Sequence, residues 1–140
     1  MAQDYAGDIT SRQAWEMLRQ DPRAVLVDVR CEPEWRYVGV PDLAGLGRRL
    51  ILASWQSYPA MRQNADFVAE VAAAGVGPDQ PVLLLCRSGA RSRAAAIELT
   101  AHGYQTCYNI AGGFEGPHDE QRHRGTADGW KAAGLPWCQD

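Results

Sequence analysis

One cysteine of this sequence is followed by an unusual concentration of positive charge. In "VLLLCRSGARSRAAAIEL", residues 82–99, an apolar run ends at Cys86, and three arginines follow within seven residues, with Gly89 among them. Nearby cations and helix N-termini favour the thiolate form of a cysteine, which is the nucleophilic form. The segment therefore indicates a nucleophilic cysteine inside an anion-binding loop.

The residues after Cys86 are suited to surround its sulfur. The segment is short enough to curl around the thiolate, so that backbone N–H groups point inward and form an anion-binding nest. A helix predicted from about residue 92 to 101 would add the free N–H groups of its first turn. Gly89 permits backbone angles that other residues resist. The predicted nucleophile is Cys86, and the predicted substrate-binding residues are Arg87, Ser88, Gly89, Ala90, Arg91 and Ser92.

Four short motifs occur in order along most of the chain. They are "VDVR" (27–30, followed by Glu34-Trp35), "CRSGARS" (86–92), "YNIAGGF" (108–114) and "GWKAAGLP" (129–136). Together they resemble the single-domain rhodanese (thiosulfate sulfurtransferase) family, and the second motif is the most specific. The resemblance implies an α/β, rhodanese-like fold with a central parallel sheet and helices on both faces.

The resemblance also implies a reaction in two steps. The Cys86 thiolate takes the outer sulfur of a small anionic donor such as thiosulfate and becomes a persulfide, and cyanide, a thiol or a small redox protein then accepts that sulfur. The loop amides would hold the negative charge, and Arg87 would stabilise the donor and the departing sulfite. Arg91 either joins it there or braces the loop against an acid. No cofactor and no metal are expected.

Three further residues are expected to support the site. In the rhodanese family an acid and an Arg–Glu pair organise the scaffold, and the resemblance implies the same role for Asp28, Arg30 and Glu34. Asp28 and Arg30 come at the end of the first predicted strand, on the same sheet edge as Cys86. Arg30 and Glu34 lie four residues apart, which predicts an ion pair on a short helical turn.

Loop length separates this reaction from a second one. Tyrosine phosphatases and related enzymes place five residues between cysteine and arginine, whereas four separate Cys86 from Arg91. The next position is Ser92, which cannot offer phosphate the paired donors of a guanidinium. Position 85 is Leu, where the phosphatase pattern has histidine. A cysteine phosphatase or arsenate-handling enzyme stays as the alternative, followed by a noncatalytic interaction module on the same scaffold.

The chain departs from the rhodanese pattern in two places. Many rhodaneses have a Gly-His-Ile-Pro-Gly-Ala-like run where this chain has "VGVPDLAG" (38–45), which lacks the histidine. Residues 114–128 form a long segment that either folds over the pocket mouth and selects a substrate or is a surface excursion. Four aromatic residues either line the pocket rim or pack in the core: Trp35, Trp55, Tyr58 and Phe114.

Apolar runs and capping signals predict the elements that position these residues. Unalternating apolar runs at 24–29, 81–86 and 106–110, with a further candidate from residue 49, predict strands covered on both faces. Thr10 to Gln13 reads as a capping box that opens a helix. Asn64 is expected to cap another, and Gly103 with Tyr104 to close the helix after the loop in a Schellman motif.

Composition limits the remaining possibilities. The 140 residues predict one domain at 9–140 behind a flexible N-terminus at 1–8. The net charge of −3 indicates no general polyanion-binding surface, so no nucleic-acid partner is expected. No run approaches the roughly 18 apolar residues of a membrane span, and no signal peptide is recognisable. We expect a monomeric cytoplasmic protein with no membrane partner.

Overall fold

The computed structural model describes residues 4–57, 59–124 and 128–139 of the chain. Within them the backbone forms a mixed set of helices and short strands. The strands are β1 (Gly7–Ile9), β2 (Val25–Asp28), β3 (Val40–Pro41), β4 (Ile51–Leu52), β5 (Gln56–Ser57), β6 (Arg62–Gln63), β7 (Val82–Leu85), β8 (Cys107–Ile110) and β9 (Trp137–Cys138). The helices are α1 (Ser11–Gln20), α2 (Glu32–Tyr37), α3 (Phe67–Ala73) and α4 (Ala90–Ala101), with a 3₁₀ turn at Ala44–Leu46.

Five of the strands form a parallel sheet with the order β1-β8-β7-β2-β4. The predicted parallel α/β architecture is therefore confirmed. Asp28 at the end of β2 lies opposite Leu85 at the end of β7, and the Val29 N–H donates to the Leu85 carbonyl at 2.8 Å. The segments that follow β2 and β7 consequently leave the sheet side by side at one edge.

Helices cover both faces of this sheet, as the unalternating strands predicted. Successive strand residues point to opposite faces, so each strand contributes to two separate cores. One core joins the sheet to α3 and α4 and includes Val27, Leu84, Phe67, Ala96 and Leu99. The other joins it to α1 and the C-terminal segment and includes Leu26, Leu83, Leu18, Phe114 and Trp130.

Two predicted helix ends are confirmed. The Thr10 hydroxyl accepts from the Gln13 N–H at 3.1 Å, and the Gln13 side chain accepts from the Thr10 N–H at 2.8 Å, which is a capping box at the start of α1. At the end of α4, Gly103 has φ +98° and the Tyr104 N–H donates to the Leu99 carbonyl at 3.1 Å. These are the features of a Schellman motif.

Two predicted helix starts are each wrong by two residues. The cap of α3 is Asp66, and the Asn64 side chain instead accepts from the Asp66 N–H at 3.0 Å, forming the turn before the helix. Helix α4 begins at Ala90 rather than about residue 92. Gly89, at φ +113°, turns the chain directly from the end of β7 into the helix.

The N-terminal segment at 1–8, which is expected to be flexible, includes two residues of a strand. Gly7 and Asp8 belong to β1, where they pair with Tyr108 and Asn109 of β8. The strand covers an edge of β8 that would otherwise present unpaired backbone groups. Residues 1–3 lie outside the described residues. No helix in the described ranges is long and apolar enough to cross a bilayer.

Candidate active site

The Cys86 sulfur lies inside the loop that joins β7 to α4. The residue is 1% exposed. The Gly89 N–H donates to Cys86 Sγ at 3.1 Å, and the Ser92 hydroxyl lies 3.2 Å from the same sulfur. Arg87 and Ser88 are exposed at the rim. The loop therefore curls around the sulfur and directs one backbone N–H and one hydroxyl toward it.

The turn after β8 fixes this loop from behind. The Phe114 N–H donates to the Cys86 carbonyl at 2.8 Å, and the Gly116 N–H donates to the Arg87 carbonyl at 3.0 Å. A Cβ atom on Gly89 would collide with the carbonyl oxygen of Ala111, and one on Gly113 would collide with that of Arg87. The "AGGF" turn and the loop are thus in direct backbone contact that only glycine allows.

Arg91 braces the loop through Glu34. Its two terminal nitrogens donate to the two carboxylate oxygens of Glu34 at 2.6 and 2.8 Å. Both side chains are mostly buried, with 17% of Arg91 and 20% of Glu34 exposed. A bidentate pair of this kind is strong and fixes geometry. Of the two roles open for Arg91, the structure has the bracing one.

The predicted Arg30–Glu34 pair is wrong. Arg30 instead pairs with Asp28 at 2.6 Å, both side chains being fully buried, and its guanidinium carbon lies 4.4 Å from the Phe114 ring centroid. Helix α2 begins only at Glu32, so Arg30 and Glu34 do not share a helical turn. Asp28 and Arg30 stabilise the sheet edge below the loop, while Glu34 is the acid that holds the loop itself.

Burial and ion pairing have opposite effects on the pKa of the Glu34 carboxyl. Burial by itself would raise the pKa of this carboxyl, but the hydrogen bonds and charge of Arg91 outweigh it and hold the pKa at about 2. Glu34 in turn raises the pKa of Arg91 above its ordinary value. Both groups therefore stay charged throughout the neutral range.

The sequence did not predict a polar chain that leads from the buried Ser92 and Asn109, beside the sulfur, to the exposed Asp8. Ser92 Oγ lies 2.5 Å from Asn109 Oδ1, and Asn109 Nδ2 donates to Asp8 at 3.0 Å. Asp8 also accepts from the Tyr5 hydroxyl at 2.9 Å. Because Asp8 can only accept when ionised, it orients the amide of Asn109 so that its oxygen faces Ser92. A polar residue within the apolar strand "CYNI" was the one available signal.

The other cysteines have different surroundings. Cys31 and Cys107 are buried, and Cys138 is exposed. Burial raises the pKa of the Cys107 thiol to about 11, and burial followed by Glu34 raises that of Cys31. Both therefore remain thiols at neutral pH. Among the described residues no group of three or more His, Cys, Asp or Glu side chains is arranged to hold a metal ion.

The aromatic residues and the long segment divide between core and surface. Trp55 and Phe114 are buried in the two cores, Trp35 is half-buried, and Tyr58 lies outside the described residues. In the segment at 114–128, the backbone N–H groups of the first three residues donate to the carbonyls of Cys86 and Arg87. His118, Arg122 and His123 are exposed, and residues 125–127 lie outside the described ranges.

Comparison with known proteins agrees with this geometry. A model of the family described as the STR4 middle domain matches residues 6–140. The chain belongs to the STR4 middle domain family. It is 38% identical over 130 residues to an uncharacterized protein of Rickettsia rickettsii, covering 93% of this chain and 95% of that one. It is 32% identical over 129 residues to the thiosulfate sulfurtransferase GlpE of Actinobacillus succinogenes, covering 92% and 87%.

Two solved structures are similar to this member of the STR4 middle domain family in both fold and sequence. Rv0390 from M. tuberculosis superposes with a TM-score of 0.88 at 53% identity, over 97% of this chain and 99% of that one. The polysulfide-sulfur transferase homodimer from Wolinella succinogenes superposes with a TM-score of 0.69 at 25% identity, over 98% and 80%. The fold is that of rhodanese-like sulfurtransferases, and the relatives include thiosulfate sulfurtransferases, so the resemblance is supported at family level.

The contact of Gly89 with Ala111 predicts a large effect of a single methyl group. Gly89→Ala adds backbone strain and a collision of the new Cβ with the Ala111 carbonyl. Gly103 has a similar positive φ but no atom within 4 Å of its Cβ position, so Gly103→Ala adds backbone strain alone. We expect Gly103→Ala to lower the free energy of unfolding by about 1 kcal/mol. Gly89→Ala should lower it by about 2 kcal/mol more. Urea unfolding measures both, and equal losses would contradict the close backbone contact.

The Glu34 pKa predicts a pH-dependent contribution to stability. Its pKa falls from 4.5 to about 2 on folding, so the stabilisation is complete above about pH 5 and is lost as the pH falls toward 2. The free energy of unfolding of wild type should therefore be higher than that of Glu34→Gln at pH 7. This difference should become smaller as the pH falls from 5 to 2. Exposed Glu120→Gln serves as the charge-matched control. A difference for Glu34→Gln that stays constant with pH would refute the assignment.

Proposed function

We propose that this protein is a sulfurtransferase that carries sulfane sulfur as a persulfide on Cys86, from an anionic donor such as thiosulfate to a thiophilic acceptor. The observation that carries the proposal is the buried Cys86 sulfur, which faces the Gly89 N–H and the Ser92 hydroxyl at 3.1 and 3.2 Å. The family relationship supports the same reaction class.

In the first step the Cys86 thiolate attacks the outer sulfur of thiosulfate. A new S–S bond forms at Sγ, the sulfur–sulfur bond of the donor breaks, and sulfite leaves with its electron pair. Arg87 is exposed beside the loop, where its charge attracts the anionic donor and the departing sulfite. The persulfide's negative charge then lies near the loop amides and the N-terminus of α4.

In the second step a nucleophilic acceptor attacks the outer sulfur of the persulfide. Cys86 leaves as a thiolate, and the Gly89 N–H and the Ser92 hydroxyl are placed to stabilise the charge that returns to Sγ. Ser92 has one hydroxyl hydrogen, and the nearby Asn109 oxygen also accepts it. The sulfur and the amide therefore share one donor, whose position the Asp8–Asn109 contact fixes.

The bracing of Arg91 disfavours the phosphatase alternative. A phosphatase needs a guanidinium that presents paired donors to phosphate oxygens. Both terminal nitrogens of Arg91 already donate to Glu34, and the next residue, Ser92, faces the sulfur. The loop thus offers a backbone N–H and a hydroxyl to a single sulfur rather than a side-chain clamp to a phosphoryl group.

Intact mass spectrometry tests the proposal. The reduced protein incubated with thiosulfate should gain one sulfur atom, because the Cys86 thiolate retains it as a persulfide. Cys86→Ser should gain none. Cys107→Ala is the matched control, since Cys107 is buried with its pKa raised to about 11 and should not react.

Two results would refute the sulfurtransferase proposal. One is the absence of sulfur gain with thiosulfate, together with turnover of an aryl phosphate that depends on Cys86. The other is the absence of both chemistries with thiosulfate and polysulfide donors, which would favour a noncatalytic module. Sulfur gain that persists in Cys86→Ser would assign the nucleophile to another residue.

A further inference from the structure

A cavity of about 560 Å³ borders the start of α2 and the segment after β4. Its wall includes Cys31, Glu32 and Arg36 from the start and middle of α2, and Ser54 and Ser57 from the segment after β4. The volume falls in the range of small-molecule sites in proteins. The reaction at Cys86 does not by itself assign this cavity a role.

The cavity lies at the catalytic edge of the sheet. Its wall residues follow the ends of β2 and β4, and Cys86 follows the end of β7, which is the other neighbour of β2. Cys31 in the wall has its sulfur 3.7 Å from Arg91 Nη1 in the loop. In open parallel sheets, ligands bind beyond these carboxyl ends. A molecule in the cavity would therefore lie at the same sheet edge as the loop that carries the persulfide.

Two opposite charges line this cavity. Glu32 and Arg36 are exposed and four residues apart on α2, so they lie on the same face of the helix. Within the part of the chain that the structure describes, neither of them takes part in a salt bridge. The serine hydroxyls add hydrogen-bonding groups to the wall. This set complements a small molecule that carries both a carboxylate and an ammonium group.

We infer that the cavity binds the sulfur acceptor, and that the acceptor is a small zwitterionic thiol of the amino-acid type. The inference rests on the proposed sulfurtransferase function. Arg36 would bind the carboxylate and Glu32 the ammonium group, so that the thiol is left to face the loop. Glu32 disfavours the doubly charged thiosulfate in the same place, which assigns the cavity to the acceptor rather than to the donor.

The transfer is balanced without any further reactant. The acceptor thiolate attacks the outer sulfur of the Cys86 persulfide, an S–S bond forms on the acceptor, and the bond to Cys86 Sγ breaks. Cys86 leaves as a thiolate and the acceptor leaves as a persulfide, so no oxidant or reductant is consumed. Cys31 serves as a wall residue, because its thiol is buried against the Glu34 carboxylate at 3.4 Å.

Steady-state transfer from thiosulfate to three thiols tests this assignment. The thiols are L-cysteine, cysteamine, which lacks the carboxylate, and 3-mercaptopropionate, which lacks the ammonium group. We expect Arg36→Gln to lower kcat/KM by about tenfold, through KM, for L-cysteine and 3-mercaptopropionate but not for cysteamine. Glu32→Gln should do the same for L-cysteine and cysteamine but not for 3-mercaptopropionate.

Controls separate this inference from the proposed function. Persulfide formation and transfer to cyanide, which has neither charged group, should be unchanged in both variants. Arg19→Gln on α1, an exposed arginine paired with Glu16, should behave as wild type with all three thiols.

The outcomes are distinct. A wild-type protein that forms the persulfide, with Arg36→Gln and Glu32→Gln showing unchanged kinetics for every thiol, would overturn the acceptor site and leave the sulfurtransferase intact. Loss of thiol transfer in Cys31→Ala with normal Arg36→Gln would also overturn it, because Cys31 would then be the relay. A wild-type protein that forms no persulfide would overturn the proposed function itself.

Discussion

The bidentate pair between Arg91 and Glu34 is the interaction on which the site depends. It joins the first turn of α4 to α2, and so holds together the segments that leave two neighbouring strands at the same sheet edge. Both groups are largely withdrawn from water, where a hydrogen-bonded ion pair is strong but an unpaired charge is costly. The pair also removes the Arg91 guanidinium from the loop interior, so that backbone N–H groups and Ser92 determine the environment of Cys86.

Recognition by backbone explains why glycines surround this loop. Amide groups can reach a sulfur closely only where the main chain itself approaches it, and the loop is in turn supported by the main chain of the turn after β8. Gly89 and Gly113 stand where these two segments meet. A site built in this way is fixed in size, which suits a single additional sulfur atom better than a phosphoryl group with several oxygens.

The sequence was sufficient for the features that depend on local pattern. Buried apolar runs identified β2, β7 and β8, and the position of Cys86 after such a run predicted its place at the sheet edge. Features set by distant partners were missed. β1 is defined by its pairing with β8, which lies far away in the sequence. The partner of Glu34 depends on where α2 begins. The hydrogen bond of Asn109 with Ser92 depends on the fold, which brings the two side chains together.

We expect the loop to hold one sulfur on Cys86 while Arg91 remains bonded to Glu34. A crystal structure of the thiosulfate-treated protein tests it most directly. We predict a second sulfur bonded to Cys86 Sγ at about 2.0 Å, directed toward the loop N–H groups, with the Arg91–Glu34 pair unchanged. An unmodified Cys86, or an Arg91 side chain that has left Glu34 to bind the added group, would contradict it.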